Sequence, residues 1–234
     1  MEPSTFLMLA AFAIPTGDAS SAGPSRLTLM GRASVKIRTA AGAVVYIDPY
    51  AKGDYGEPAD IILVTHGHRD HNQVQLVGRS AGCVIVAPKG AVSGERVISL
   101  AEYDATTIAG VGINAVPSYN ANHPRGSGVG YVLDFCGVRL YHAGDTSCIP
   151  EMAALRKQCI DYALMPCDGL YNMGPDEAAK AAGMAGARAL IPIHSSPDGC
   201  ETGPNARRIR YDELIVLEAG ESMELRGGKL RTGP

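Results

Sequence analysis

The chain has 234 residues and a formal net charge of −3, with 46% hydrophobic and 19% charged residues. That length suits a single domain, the apolar share excludes a disordered chain, and the charge balance leaves no footprint for nucleic acid or an anionic membrane. No window reaches the roughly 18 apolar residues of a membrane span, while 28 glycines, 15 prolines and no Trp describe a turn-rich fold around an aliphatic core.

Residues 6–14 (FLMLAAFAI) are apolar and lead through Pro15-Thr16-Gly17 into the small run 19–22. That pattern is similar to the apolar core and cleavage site of a secretory signal, but residues 1–5 hold Glu2 and no Lys or Arg. We therefore set 1–25 apart as a leader or signal segment and read 26–234 as the folded domain. A cytoplasmic location is favoured, with export through residues 1–22 as the alternative.

The domain opens with short strands at 27–30, 34–38 and 44–47, broken at Gly31 and at Ala41-Gly42. The unbroken aliphatic run 61–65 fits a strand covered on both faces. A short helix at 74–82 and a strand at 84–87 follow, then strands at 96–100, 106–108 and 113–117. Residues 130–135 and 138–142 form a hairpin turning at Cys136-Gly137. Beyond it, helices at 149–158 and 175–187 alternate with strands at 162–165 and 189–193, and strands at 214–217 and 222–225 close the chain. A β-rich first half followed by β-α alternation argues an α/β fold of two sheets with helices outside. The six cysteines form no CxxC pair, which excludes both a disulfide scaffold and a structural zinc site.

Chemistry concentrates in Thr65-His66-Gly67-His68-Arg69-Asp70-His71, directly after the aliphatic run. Three imidazoles and a carboxylate in so short a loop make sense as metal ligands, because both suit zinc and similar first-row ions. The other histidines, His123, His142 and His194, and the Gly144-Asp145 pair all lie at or just beyond predicted strand ends. Those are the positions from which open α/β sheets build their sites. Gly126-Ser127-Gly128-Val129-Gly130 leads into a strand, not a helix, so it is no dinucleotide fingerprint but a loop beside the histidine cluster.

HxHxDH after a hydrophobic strand, a later Gly-Asp and a late strand-end His resemble the metallo-β-lactamase superfamily. The likeness runs from Leu27 to Leu225 and is strongest toward its broad metal-dependent hydrolases, which include ascorbate-6-phosphate lactonase and N-acyl phosphatidylethanolamine phospholipase D. Those share lead-ins like Gly31-Arg32-Ala33-Ser34, Tyr46-Ile47-Asp48-Pro49 and Tyr141-His142-Ala143-Gly144-Asp145-Thr146. The resemblance implies a single αββα sandwich with a mono- or dinuclear centre at its edge. His66 and His68 would hold one metal, Asp70, His71 and His194 the other, and Asp145 both. Asn120 stands where many relatives carry a further histidine ligand, so His123 is the candidate substitute. Two Zn2+ per chain are expected, with Mn2+ or Fe2+ as alternatives.

The implied reaction is attack by a metal-held hydroxide on a lactone, ester, amide or phosphodiester, with Asp70 and Asp145 orienting it and His142 as a candidate proton shuttle. Asn120, Asp168, Tyr171 and Arg125 are candidate substrate contacts, Arg69 and Arg32 are further candidate anion anchors, and a histidine is usual in relatives at position 32. A true β-lactamase is one alternative. A di-iron redox protein is another, although such proteins resemble HxExDH, with Glu where this chain has His68.

Overall fold

The computed structural model describes residues 23–228, which fold into two mixed β-sheets. The signal pattern at 1–22 lies outside the described residues. The first sheet contains β1 (Ser25–Gly31), β2 (Ser34–Arg38), β3 (Val44–Ile47), β4 (Ala59–Leu63), β5 (Arg79–Ala87), β6 (Val97–Ser99) and β13 (Ser222–Leu225), in the order β13-β1-β2-β3-β4-β5-β6. The second contains β7 (Ala105–Ile108), β8 (Val111–Pro117), β9 (Val129–Phe135), β10 (Val138–His142), β11 (Tyr162–Pro166) and β12 (Ala189–Ile193), in the order β12-β11-β10-β9-β8-β7.

The pleat explains why the central strands are apolar throughout. Val35, Ile37, Val45, Ile47, Ile61 and Leu63 share one buried cluster with Ile113, Leu133, Leu140, Leu164 and Ile191 of the other sheet. Their sequence neighbours Val44, Tyr46, Ile62 and Val64 enter a second cluster on the outer face, with Tyr55, Val74 and Val77. Successive side chains point to opposite faces, so a strand covered on both sides needs no polar alternation. A third cluster joins the second sheet to the helix α1 (Pro175–Ala185) through Ala178, Ala181, Ala182 and Ala185. Pro175, Asp176 and Glu177 start that helix, and Gly186, at φ 71°, ends it. The three clusters are the three interfaces of an αββα sandwich.

The layers differ in weight. Over the first sheet the cover is a single 3-10 turn and loops, whereas α1 and the 3-10 helix Pro150–Gln158 cover the second. Two expected elements are absent. The helix expected at 74–82 is reduced to the 3-10 turn Val74–Leu76, and β5 begins at Arg79. Gly78, a poor helix former, instead donates its amide to Tyr55 O and accepts from Ala59, which draws the chain into the sheet. The strand expected at 214–217 contributes one parallel bridge, Leu214 to Leu190, before the chain leaves to form β13 on the other sheet. Among the described residues no helix is long and apolar enough to cross a membrane.

Tyr131, fully buried on β9, donates its hydroxyl to Val64 O at 2.9 Å and so joins the two sheets just before the histidine loop. Tyr131→Phe should lower stability by about 1 kcal/mol, the usual net worth of such a bond. Urea unfolding checks this: the midpoint falls while the denaturant dependence stays unchanged.

Candidate metal centre

Six strands end at the same edge. Asp48 follows β3, the His66–His71 loop follows β4, His123 lies beyond β8, Asp145 beyond β10, Asp168 beyond β11 and His194 directly after β12. Asp48 and His194 stand at φ 47° and 42°, left-handed conformations that cost a non-glycine residue energy and persist where the surroundings overdetermine them. Glycine solves a different problem at position 128, where a Cβ would come within 2.9 Å of His66 Cβ.

His66, His68 and His123 form the first group. The Thr65 hydroxyl donates to Asp48 Oδ2 at 2.7 Å, so its oxygen is left to accept from His66 Nδ1 at 3.0 Å. Likewise Asn120 Oδ1, which can only accept, takes His123 Nδ1–H at 2.8 Å. Both Nε2 atoms are therefore bare lone pairs, and each lies 3.1 Å from His68 Nδ1. His68 can donate one proton from that atom, to one neighbour only. One cation would take up all three converging lone pairs at once, and a tetrahedral zinc with bonds of about 2.0–2.1 Å spaces its nitrogens about 3.3 Å apart. Burial, followed by the charge of His71, lowers the His66 pKa to about 3, keeping the ring in the neutral form that binds metal.

Asp70, His71 and His194 form the second group. His71 Nδ1 donates to Asp48 Oδ2 at 2.8 Å, and its Nε2 points 3.5 Å from Asp145 Oδ1 and 3.7 Å from Asp70 Oδ2. His194 Nδ1 lies 3.0 Å from Asp168 Oδ2, off the ideal hydrogen-bond line, and its Nε2 faces Asp70 at 3.6 Å and Asp145 at 3.5 Å. Asp145 also reaches within 3.6 Å of His123 Nε2, so it borders both groups. His71 Nε2 and Asp145 Oδ1 are buried without any hydrogen-bond partner. Burial opposes charge on His71, yet Asp145 and Asp48 hold its pKa well above the usual histidine range. Burial likewise opposes ionisation of Asp145, but His71 and His194 keep it well below the carboxylate range. The second group thus demands positive charge, and the donor set of the whole cluster fits divalent cations.

These seven expected ligands converge; the remaining expectations divide. Tyr171 lines a cleft of about 410 Å³ together with Arg32, His68, Asp70, Asn122, His123, Asp145, His194 and Pro197. Asn120 and Asp168, expected as substrate contacts, lie outside the cleft lining and hold histidines. Asp168 accepts the amides of Leu170, Tyr171 and Asn172 besides meeting His194, and although burial opposes it, those partners lower its pKa to about 2. Arg125 is no free anion anchor either, being paired with Glu102 and Glu151 outside the cleft lining. His142, the candidate proton shuttle, lies outside the cleft lining. It is fully buried, with Nε2 on Ala33 O at 3.0 Å and Nδ1 accepting from Gly144 N at 3.3 Å, so both nitrogens serve the backbone. The sequence reading assigned no role to Asp48, although an aspartate closing a strand before proline was the available signal. Asn122 and Pro197 carried none.

The domain profile described as "Beta-lactamase superfamily domain" matches residues 26–194. A UPF0173 metal-dependent hydrolase of Thermococcus kodakarensis is 34% identical over 206 residues, covering 77% of this chain and 92% of the relative. A solved Parabacteroides distasonis structure, described as that of a metal-dependent hydrolase, is 31% identical with a TM-score of 0.71, over 84% of this chain and 94% of that one. A metallo hydrolase from Ignicoccus hospitalis superposes with a TM-score of 0.70 over 88% of this chain and all of its own (100%), but at 20% identity the likeness shows only the fold.

Asp48→Asn removes the carboxylate that orients His71 and, through Thr65, His66. Metal affinity should fall about 10- to 100-fold, the usual effect of losing such a supporting partner. Competition with a chromogenic chelator measures it.

Proposed function

The chain belongs to the β-lactamase superfamily and to its metal-dependent hydrolases, and we propose that it hydrolyses a small-molecule lactone, ester, amide or phosphodiester at a two-cation centre. The observation that carries this is the convergence of bare histidine nitrogens and orphaned buried atoms on one open cleft. His66, His68 and His123 would hold one cation, Asp70, His71 and His194 the other, with Asp145 shared. Zn2+ suits this nitrogen-rich set best, and Mn2+ or Fe2+ share the same donors. When bound, such a pair ionises water near neutral pH and polarises a carbonyl or phosphoryl oxygen.

The chain's own groups complete the chemistry. Asp70 and Asp145 are the two carboxylates in the cleft lining, and both are held ionised, against burial, by their histidine neighbours. As ionised acceptors they are placed to orient the nucleophile by taking its hydrogen bond. Asp145 is sunk among histidines, whereas the Asp70 side chain is 25% exposed toward the cleft. Tyr171 stands exposed at the mouth of the cleft, and its carbonyl accepts from Asn120 and Asn122, which fixes that wall. A cleft of this size suits a small molecule. We assign the whole activity to the unit 26–234 and place it in a reducing compartment such as the cytoplasm. All six cysteines are unpaired, and Cys136 and Cys159 are exposed.

Plasma emission on protein purified without added metal should find about two equivalents of zinc per chain. His123→Ala should lose about one of the two, because Asp145 still serves the other group. His66→Ala and Asp145→Asn should lose hydrolysis across a panel of lactones, phosphodiesters and β-lactams. Full turnover in either variant would overturn the assignment.

A further inference from the structure

Arg32 sits in the turn between β1 and β2 at φ 54°, and its amide, carbonyl and Nη1 all bond His194 or the loop after it. Its amide donates to Cys200 O at 3.0 Å and its carbonyl accepts from His194 N at 2.8 Å. Its Nη1 donates to Pro197 O and Gly199 O at 3.2 and 3.3 Å. The remaining strong bond goes elsewhere: Nε donates to Asp70 Oδ2 at 2.7 Å, with the arginine side chain only 11% exposed. That oxygen is the one facing His71 Nε2 and His194 Nε2 at 3.7 and 3.6 Å.

One carboxylate oxygen is therefore aimed at two histidines and already carries a guanidinium. Arginine does not lose its proton in proteins, so this charge is permanent. A charge-assisted bond draws electron density from the oxygen, and the positive charge itself repels a second cation across a poorly screened distance. The first group differs, since its outer nitrogens rest on the neutral Thr65 hydroxyl and Asn120 amide, with no arginine among the described residues on any ligand atom. In the second group, Asp48 and Asp168 supply negative charge from behind, and Arg32 offsets it from the cleft side.

We propose that Arg32 is a resident cation competing with the metal ion of the Asp70–His71–His194 position, its charge repelling that ion enough to weaken the position about tenfold or more while leaving the His66–His68–His123 position untouched. This rests on the two-cation reading above. Arg32 is thus a positioning residue that sets how readily the second cation is gained and lost.

The test is a calorimetric zinc titration of metal-depleted full-length protein, with plasma emission after dialysis as a second readout. Arg32→Gln keeps an amide donor for Asp70 but removes the charge, and Arg32→Met removes both should the glutamine variant fold poorly. With the like charge gone, either should bind the second zinc about tenfold or more tightly with the first unchanged, and Arg32→Lys should behave like the parent. Unchanged or weaker second-zinc binding in the neutral variants overturns the proposal and leaves Arg32 as a strut that merely orients Asp70. Equal tightening at both positions overturns it as well, since the effect would not be local. A parent protein that binds no zinc at all sinks the two-cation reading itself, and this proposal with it.

Discussion

A single buried carboxylate sets the geometry of the centre. Asp48 is fully shielded from water, a costly place for a charge unless every lone pair is used. Its Oδ1 accepts the Thr65 amide at 2.7 Å, and its Oδ2 accepts the Thr65 hydroxyl at 2.7 Å and His71 Nδ1 at 2.8 Å. Those bonds start the histidine loop at the end of β4, fix the tautomer of His71 and, through the threonine oxygen, that of His66. Ser34 in turn donates to Asp48 O at 2.6 Å, so the neighbouring strand β2 holds the residue in its left-handed conformation.

The same device recurs around the cluster with different partners. Four imidazoles have one nitrogen anchored and the other aimed inward: His66 on Thr65, His71 on Asp48, His123 on Asn120 and His194 on Asp168. Neutral anchors serve His66 and His123 of the first group, and carboxylates serve both histidines of the second. That division makes the two halves chemically distinct although both are read from the same short list of residue types, and Arg32 stands on the more negative side.

Much of this was legible in the linear sequence, and what was not has specific causes. The aliphatic run before Thr65 marked a strand covered on both faces, and the HxHxDH loop after it marked the histidine cluster at its end, because both depend on neighbours along the chain. Two sheets in a sandwich and the convergence of His123, Asp145 and His194 followed from their places at strand ends. Roles that depend on distant partners did not follow. Arg125 looks like a free cation until Glu102 and Glu151 fold against it. Asp168 looks like a turn residue until β12 brings His194 beside it. Asn120 looks like a failed ligand, but a backbone turn places His123 three residues on, with Asn120 Oδ1 accepting both its amide and its ring proton. Residues 74–82 read as a short helix, but Gly78 bonds Tyr55 and Ala59 far back along the chain instead of its own turn.

The last strand pairs with the first. Ser25 lies opposite Leu225, and β1 runs from there toward Gly31 and Arg32 at the cleft edge. Both ends of the described chain therefore lie at the edge of the sandwich opposite the metal centre. A bead, a fusion partner or a fluorophore attached near Gly23 or Gly228 would hang from the back of the molecule. The cleft would stay open to solvent, and a surface or another protein joined at either of those two positions would not obstruct what enters it.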